Sequence, residues 1–384
     1  MRGLKAMAAA SASALAVAAA DTRIHRASTR LTDAWRTAPV ESRRGAPLGL
    51  SFRPLQAEAF GLDPDETLRE LLTFRFETVR LAAYWNRIEL APNRFDFAAL
   101  DRQVEAAERA GKRIVLCAGA VKAFGYPEFF VPGHHLPRPL PEGALIGPEE
   151  HGALLDAACA FLSTVVARYR DRPAVTTWQV EHEATDPLGM EHSWRLAKAF
   201  VAAEVAAVRA ADPDRPVLLN GFLPMSAAVA AQQWWRTRDQ GDSLVVAEEL
   251  ADVIGLDVYP RHAVFAFGDR SVYFDGSRSP WQAWRPGRIA QRSRRSAGRR
   301  LLIAEGQAEP WEAETTPPSP AAGAMYSCPP EQIIANFNLC MREADRFGVA
   351  LDGYLFWGAE YWLLRRRNGD PRYLAAFARV LAEA

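Results

Sequence analysis

The chain has 384 residues, 49% of them apolar, with 46 basic and 46 acidic side chains, a length that carries one large core and fits a single α/β barrel with enlarged loops. Balanced charge leaves no electrostatic footprint for a polyanion, so nucleic acid is not an expected partner. Four cysteines, Cys117, Cys159, Cys328 and Cys340, form no CxxC pair, which argues against a structural zinc or redox motif.

Residues 1–20 begin with Arg2 and Lys5, continue as an Ala-rich run and end in small residues. This pattern predicts an export signal and a secreted or cell-envelope protein; the alternative is an Ala-rich tail on a cytoplasmic one. Ala and Ser contribute little to membrane transfer and no later run reaches about 18 apolar residues, so no stable membrane span is expected. Residues 21–46, rich in Arg, Thr, Ser and Pro, read as a linker, which leaves residues 47–384 as the folded domain.

From Leu48 onward, short β-branched apolar runs alternate with amphipathic segments, the pattern of repeated βα units on a parallel sheet. Eight strands are predicted: Leu48–Phe52, Thr78–Ala83, Arg113–Ala118, Val175–Val180, Pro216–Asn220, Val253–Tyr259, Arg300–Ala304 and Gly353–Trp357. Asp63-Pro64-Asp65-Glu66 supplies an N-cap, a proline at the first helical position and first-turn carboxylates, so a helix starts there. The next runs from near Asp96 to Ala110 and stops at Gly111. Later helices are expected over Pro148–Tyr169, His192–Ala211, Ser226–Arg236, Trp281–Arg295, Pro329–Phe347 and Pro371–Ala384. Eight alternations predict one closed (β/α)8 TIM barrel with long βα loops. A doubly wound nucleotide-binding sheet would need a Gly-rich phosphate turn after an early strand, and the sequence has none. Cys328 and Cys340 either bridge or serve as small buried apolar groups.

In such a barrel the chemistry sits where strands end and βα loops begin. The loop after strand three, 122–147, carries Phe124, Tyr126, Phe129 and Phe130; those after strands six and seven carry Phe265, Tyr273, Trp281 and Trp311. Aromatic faces there either stack on sugar rings or pin long loops to the scaffold. Trp178-Gln179-Val180-Glu181-His182-Glu183 ends strand four, and Leu301-Leu302-Ile303-Ala304-Glu305 ends strand seven. Carboxyls from nearly opposite sides of one mouth suit a glycosidic bond between them, provided one is protonated and the other ionised. Glu181 rivals Glu183 because alternate strand residues share a face; Glu183 is preferred as nearer the catalytic edge.

On these residues the chain from about Leu48 to its end resembles the large clan of (β/α)8 glycoside hydrolases, cellulase-like and β-galactosidase-like members among them. That clan places acid/base and nucleophile glutamates after strands four and seven. WQVEHE looks like its Trp-x-x-x-Asn-Glu strand ending, which implies Glu183 as acid/base. AEGQAEPW implies Glu305 as nucleophile. The resemblance further implies Arg80 near the nucleophile, Tyr259 ending strand six and Trp357 ending strand eight, with Trp178, His182 and Trp311 beside them as substrate contacts. His182 departs from the clan's asparagine: an imidazole still donates to a sugar hydroxyl, but it is bulkier and titrates near neutral pH.

Glu309 and Glu360 are either substrate contacts or ion-paired. Adjacent histidines, His134 and His135, do not project to one centre and no matching acidic spacing accompanies them, so no metal and no cofactor is expected. The leading reading is retaining hydrolysis of a poly- or oligosaccharide through a covalent glycosyl-enzyme, with carboxyl groups about 5–5.5 Å apart. The alternatives are a non-catalytic carbohydrate-binding barrel and a barrel enzyme that abstracts a proton from a non-sugar substrate.

Overall fold

The structure, a computed structural model, describes residues 21–26, 31–136, 138–187, 192–267, 270–278, 287, 289–291, 298–312 and 326–384. Eight parallel strands close a barrel: β1 (Leu48–Ser51), β2 (Thr78–Ala82), β3 (Arg113–Cys117), β4 (Val175–Gln179), β5 (Val217–Leu223), β6 (Val253–Val258), β7 (Arg300–Gln307) and β8 (Leu351–Trp357). Pairing of β8 with β1 completes the ring. All eight fall where the apolar runs predict them. Strands β5 and β7 continue past their predicted ends, and it is at the end of β7 that the extension matters for the site.

Alternation sorts the side chains. Val115, Leu218, Val253, Leu302, Ala304 and Leu355 fill the barrel interior, while their strand neighbours Ile114, Leu116, Val217, Leu219, Ile254, Leu301, Ile303 and Tyr354 join the larger core under the helices. That outer layer comprises α1 (Pro64–Leu71), α2 (Ala98–Arg109), α3 (Gly152–Tyr169), α4 (Lys198–Ala211), α5 (Ala227–Thr237), α6 (Ser243–Leu250), α7 (Pro330–Arg346), α8 (Ala359–Arg367) and α9 (Arg372–Glu383). Asp63 caps α1 by accepting from the Glu66 amide at 2.8 Å, and Gly111 follows α2 at φ 68°, as the sequence signals require. Helix α4 starts later than expected because Arg195–Leu196 pairs with Leu145–Ile146 instead. The helix predicted over 281–295 lies almost wholly outside the described residues, as does Trp281.

Helix α3 is long and apolar enough to cross a membrane by length and composition, although Asp156 and Arg168 interrupt its apolar run. Here its Leu154, Phe161, Leu162, Val165 and Val166 pack into the core. Each such fully buried side chain contributes on the order of 1.5–3 kcal/mol by leaving water.

Within the stretch expected as a linker, the described residues 21–26 and 31–46 contact the domain. Thr22–Arg26 pairs antiparallel with Arg270–Asp275, which also pairs with Arg261–Phe267 in a three-stranded sheet. Leu31 and Trp35 are buried. Arg372 and Arg379 of α9 donate to the carbonyls of Leu31 and Trp35, and Asn338 of α7 both accepts from the Glu41 amide and donates to the Pro39 carbonyl. Composition misleads here because the partners lie far away in sequence: a ladder for Thr22–Arg26, and helix side chains for the backbone at Leu31, Trp35, Pro39 and Glu41. The export-signal stretch, residues 1–20, lies outside the described residues. Cys328 and Cys340 are buried and unbridged, the small apolar alternative.

Candidate active site

Plain alternation would turn Glu305 outward, since Ala304 belongs to the barrel interior. A bulge prevents it. Leu256 pairs with Ile303 and Asp257 with Glu305, leaving Ala304 as the extra residue, and β8 registers the same irregularity. Glu305 therefore enters the mouth, 2% exposed. Arg80 Nη1 donates to its Oε1 at 2.8 Å and Tyr259 to its Oε2 at 2.6 Å. Arg80 is itself held by Gln179 Oε1 at 2.7 Å and lies over the Phe124 ring at 4.0 Å.

Strand β4 delivers its carboxylate differently. The ladder stops at Gln179, and Glu181 and Glu183 then take φ of 56° and 45°, conformations that L side chains rarely adopt. Glu181 is thereby turned away from the mouth into a nest of three backbone amides, those of Ala120, Val121 and Lys122, at 2.5–2.9 Å. Gly119 permits this approach: a Cβ there would lie 2.3 Å from the Glu181 nitrogen. Behind Glu181 stands the buried carboxyl of Glu204 of α4, whose pKa burial and Glu181 raise well above the ordinary value. Of the two, Glu183 lines the cleft and Glu181 does not. Lys122 Nζ donates to the Glu183 carbonyl at 2.8 Å and fixes the turn.

The two glutamates sit in unequal surroundings. Burial, then the negative charges of Asp257, Asp186 and Glu305, push Glu183 well above the ordinary carboxylate range. Burial also raises Glu305, but Arg80 and Tyr259 oppose it. Of the pair, Glu305 ionises first. Asp257 accepts from Asn220 Nδ2 at 2.6 Å.

His182 lies among them with Asn220 Nδ2 2.9 Å and Arg80 Nη2 3.4 Å from its Nδ1. Two donors facing Nδ1 make it an acceptor, which places the proton on Nε2. Burial, Arg80 and Lys122 hold the ring well below its ordinary pKa, so the near-neutral titration expected from sequence is replaced by a neutral imidazole. His182, Asp257 and Glu305 also bring ligand atoms within 4.8 Å of one another, but Arg80 already supplies the cation at that point.

A cleft of about 830 Å³ opens above these groups, lined among others by His182, Glu183, Tyr259, Glu305, Trp311 and Trp357. Tyr126 and Phe265 reach it from the loops after β3 and β6. Phe129 and Phe130 are buried loop pins, and Tyr273 is buried against Glu312. Trp178, expected as a substrate contact, is not brought to the cleft. Its neighbour Gln179 faces the interior, so Trp178 points into the helix layer, where its indole donates to Asp212 at 3.0 Å. Glu309 and Glu360 are fully buried and clamp Arg53 at 2.6–2.8 Å, so the ion-paired alternative holds for both; Arg53 lies over the Trp357 ring at 4.4 Å. Sequence reasoning passed over Asp257, Asn220, Gln179, Lys122, Arg53 and Glu204. Asp257 and Asn220 were detectable as polar residues inside apolar strands.

No protein-family model matches the sequence, and no curated protein does. Solved structures do match in fold. A psychrophilic glycoside hydrolase family 10 endo-β-1,4-xylanase superposes with a TM-score of 0.52 at 14% identity, over 91% of this chain and 98% of that one. A glycosylated endo-β-1,4-xylanase from Gloeophyllum trabeum gives 0.51 at 15%, over 90% and 100%. An exo-β-1,4-mannosidase from Opitutaceae bacterium strain TAV5 gives 0.51 at 17%, over 81% of this chain and 52% of that one, so the chain spans about half of the mannosidase's length. At such identities the likeness establishes the (β/α)8 fold.

Proposed function

We propose that the chain is a retaining glycoside hydrolase that cleaves a poly- or oligosaccharide by double displacement. The observation that carries this reading is the unequal pair in one cleft, Glu305 braced by Arg80 and Tyr259, and Glu183 crowded by other carboxylates. Glu305 attacks the anomeric carbon as the Glu183 proton passes to the leaving oxygen. Glu183, now ionised, takes a proton from water, whose oxygen displaces Glu305 and restores both groups.

Sugar hydroxyls would meet matching donors. His182 offers its Nε2 proton, and the buried indole nitrogens of Trp311 and Trp357 and the Gln56 amide nitrogen have no hydrogen-bond partner among the described residues. The β-1,4-xylanases and β-1,4-mannosidase of like fold make β-linked pyranosides the first substrates to try. Residues 1–20 support the further proposal that the substrate is met outside the cytoplasm.

The test is a panel of aryl β-glycosides and β-linked polysaccharides with wild type beside Glu305→Ala, followed by proton NMR of the first-formed sugar. Turnover with retained configuration, abolished in the folded variant, is expected. An inverted first product overturns the mechanism. No turnover on any substrate, or equal turnover by the variant, overturns the catalytic assignment.

A further inference from the structure

Outside the cleft, the histidines at 134 and 135 do converge on one centre, through a carboxylate far from them in sequence. Glu89 closes the short helix Trp85–Ile88 after β2 and is 4% exposed. Its Oε2 accepts from Trp85 Nε1 at 2.6 Å and lies 2.9 Å from His135 Nε2; its Oε1 accepts from the Asn93 amide at 3.0 Å and lies 3.5 Å from His134 Nε2.

A buried carboxylate of this kind needs one imidazole donor, and His135 already serves. The His134 nitrogen is too distant for a good hydrogen bond, and its ring lies only 4.4 Å from that of His135, where two imidazolium charges would repel. The second histidine is explained if a cation sits between the three groups. One ligand atom from each of Glu89, His134 and His135 lies within 4.8 Å of the others, and an ion with bonds of about 2.0–2.2 Å, whose ligand atoms stand roughly 3.3–3.5 Å apart, would gather them by small side-chain shifts. We propose that Glu89, His134 and His135 form a metal site for zinc or a similar borderline divalent ion, with two imidazole nitrogens, one carboxylate oxygen and a place for water.

Trp85 and Asn93 orient the carboxylate from behind, and the Trp85 ring stacks on His135 at 4.8 Å. Binding requires the proton on Nδ1 of both rings, which frees each Nε2 lone pair. Nitrogen ligands disfavour calcium and magnesium. The ion would tie the loop 122–147, whose Gly125, Tyr126 and Glu128 wall the cleft, to the segment after β2.

Chelator-treated full-length protein is titrated with zinc chloride by calorimetry, with calcium chloride as a control, in wild type, His134→Ala and Glu305→Ala. His134 is one-quarter exposed, so its removal leaves the fold intact. One equivalent of zinc should bind wild type and Glu305→Ala alike and raise Tm by about 2–4 °C. His134→Ala should lose at least about tenfold in affinity, with its metal-free Tm unchanged. Cobalt should give visible d–d absorption in wild type that the variant lacks. No stoichiometric zinc binding, binding unchanged in His134→Ala, or binding lost only in Glu305→Ala overturns the site.

Discussion

The ends of β4 and β7 bring their glutamates to one cleft by different devices. Strand β7 keeps its ladder and inserts Ala304 as an extra residue, so Glu305 arrives on a regular scaffold between two strands. Strand β4 abandons its ladder at Gln179 and reaches Glu183 through two left-handed residues, held from outside by the amide nest on Glu181 and by Lys122. A residue that must keep one charge and one position suits a rigid bulge braced by a cation. A residue that must give up and regain a proton suits a site crowded with carboxylates, and the strain of non-glycine left-handed backbone is borne by the packing around it.

The largest expected effect separates the two ends by chemistry. On an activated aryl glycoside, Glu305→Ala should lose nearly all turnover, and azide should rescue it with an inverted glycosyl azide, because the anion replaces the missing nucleophile. Glu183→Ala should lose about 10²- to 10⁴-fold on substrates with poor leaving groups and less on activated ones. There azide should yield the retained product by attacking the accumulated glycosyl-enzyme. Product analysis showing the same anomer from both variants would mean that the two roles are misassigned.

The next effect tests the crowding. Glu183 acts while protonated, so activity should fall as pH rises through its elevated pKa, giving the alkaline limb of kcat/KM. Asp257 is the largest charge raising that pKa. Asp257→Asn removes the charge, lets Glu183 ionise more easily, and should move the alkaline limb down by about one pH unit. A limb that stays in place or moves up would contradict the electrostatic account.

Smaller still is the contribution of the support behind β4. Glu204 is buried and its pKa is raised well above the ordinary value, first by burial and then by Glu181. The folded chain therefore holds a proton that the unfolded chain releases above about pH 4.3, so stability falls as pH rises from there. Glu204→Gln removes that proton at nearly the same size and shape. It should gain about 1–2 kcal/mol in urea unfolding at pH 7–8 and almost nothing near pH 4. Equal effects at both pH values would show that Glu204 is ionised in the fold.

The same two ends show how much was legible beforehand. The apolar runs placed all eight strands, and strand endings alone picked out Glu183 and Glu305. Alternation, applied literally, would have kept Glu181 beside Glu183 and turned Glu305 outward; both errors arise because the ladder breaks or bulges within the last few residues, which periodicity does not encode. Trp178 was misplaced for a related reason. In a strand buried on both faces, apolar Trp178 and polar Gln179 do not announce which faces the interior, and Arg80, far away in sequence, claims Gln179. The pairing of Glu309 and Glu360 with Arg53 spans 256 and 307 residues and has no local signature. The segment 21–46 was read by composition, yet Thr22–Arg26 pairs with a strand about 250 residues on and helix side chains from the other end of the chain hold Leu31 and Pro39.

The smallest effect concerns His182, the residue that departs from the resembled clan. Its Nδ1 faces the Asn220 and Arg80 donors and its pKa is held well below the ordinary value. With its pKa held low the ring is neutral near pH 7, so His182→Asn should leave both limbs of the pH profile in place. What changes is reach. The imidazole presents Nε2–H to the cleft, whereas an asparagine amide is shorter and would place its donor closer to β4. A hydroxyl that bonds well to one geometry bonds less well to the other, and one hydrogen bond is worth about 0.5–1.5 kcal/mol, or roughly two- to tenfold in kcat/KM. The ranking of glycosides that differ in one hydroxyl should therefore shift by that factor. A moved acidic limb would show that the imidazole does carry charge, and an unchanged ranking would reduce His182 to a spacer between Asn220 and Arg80.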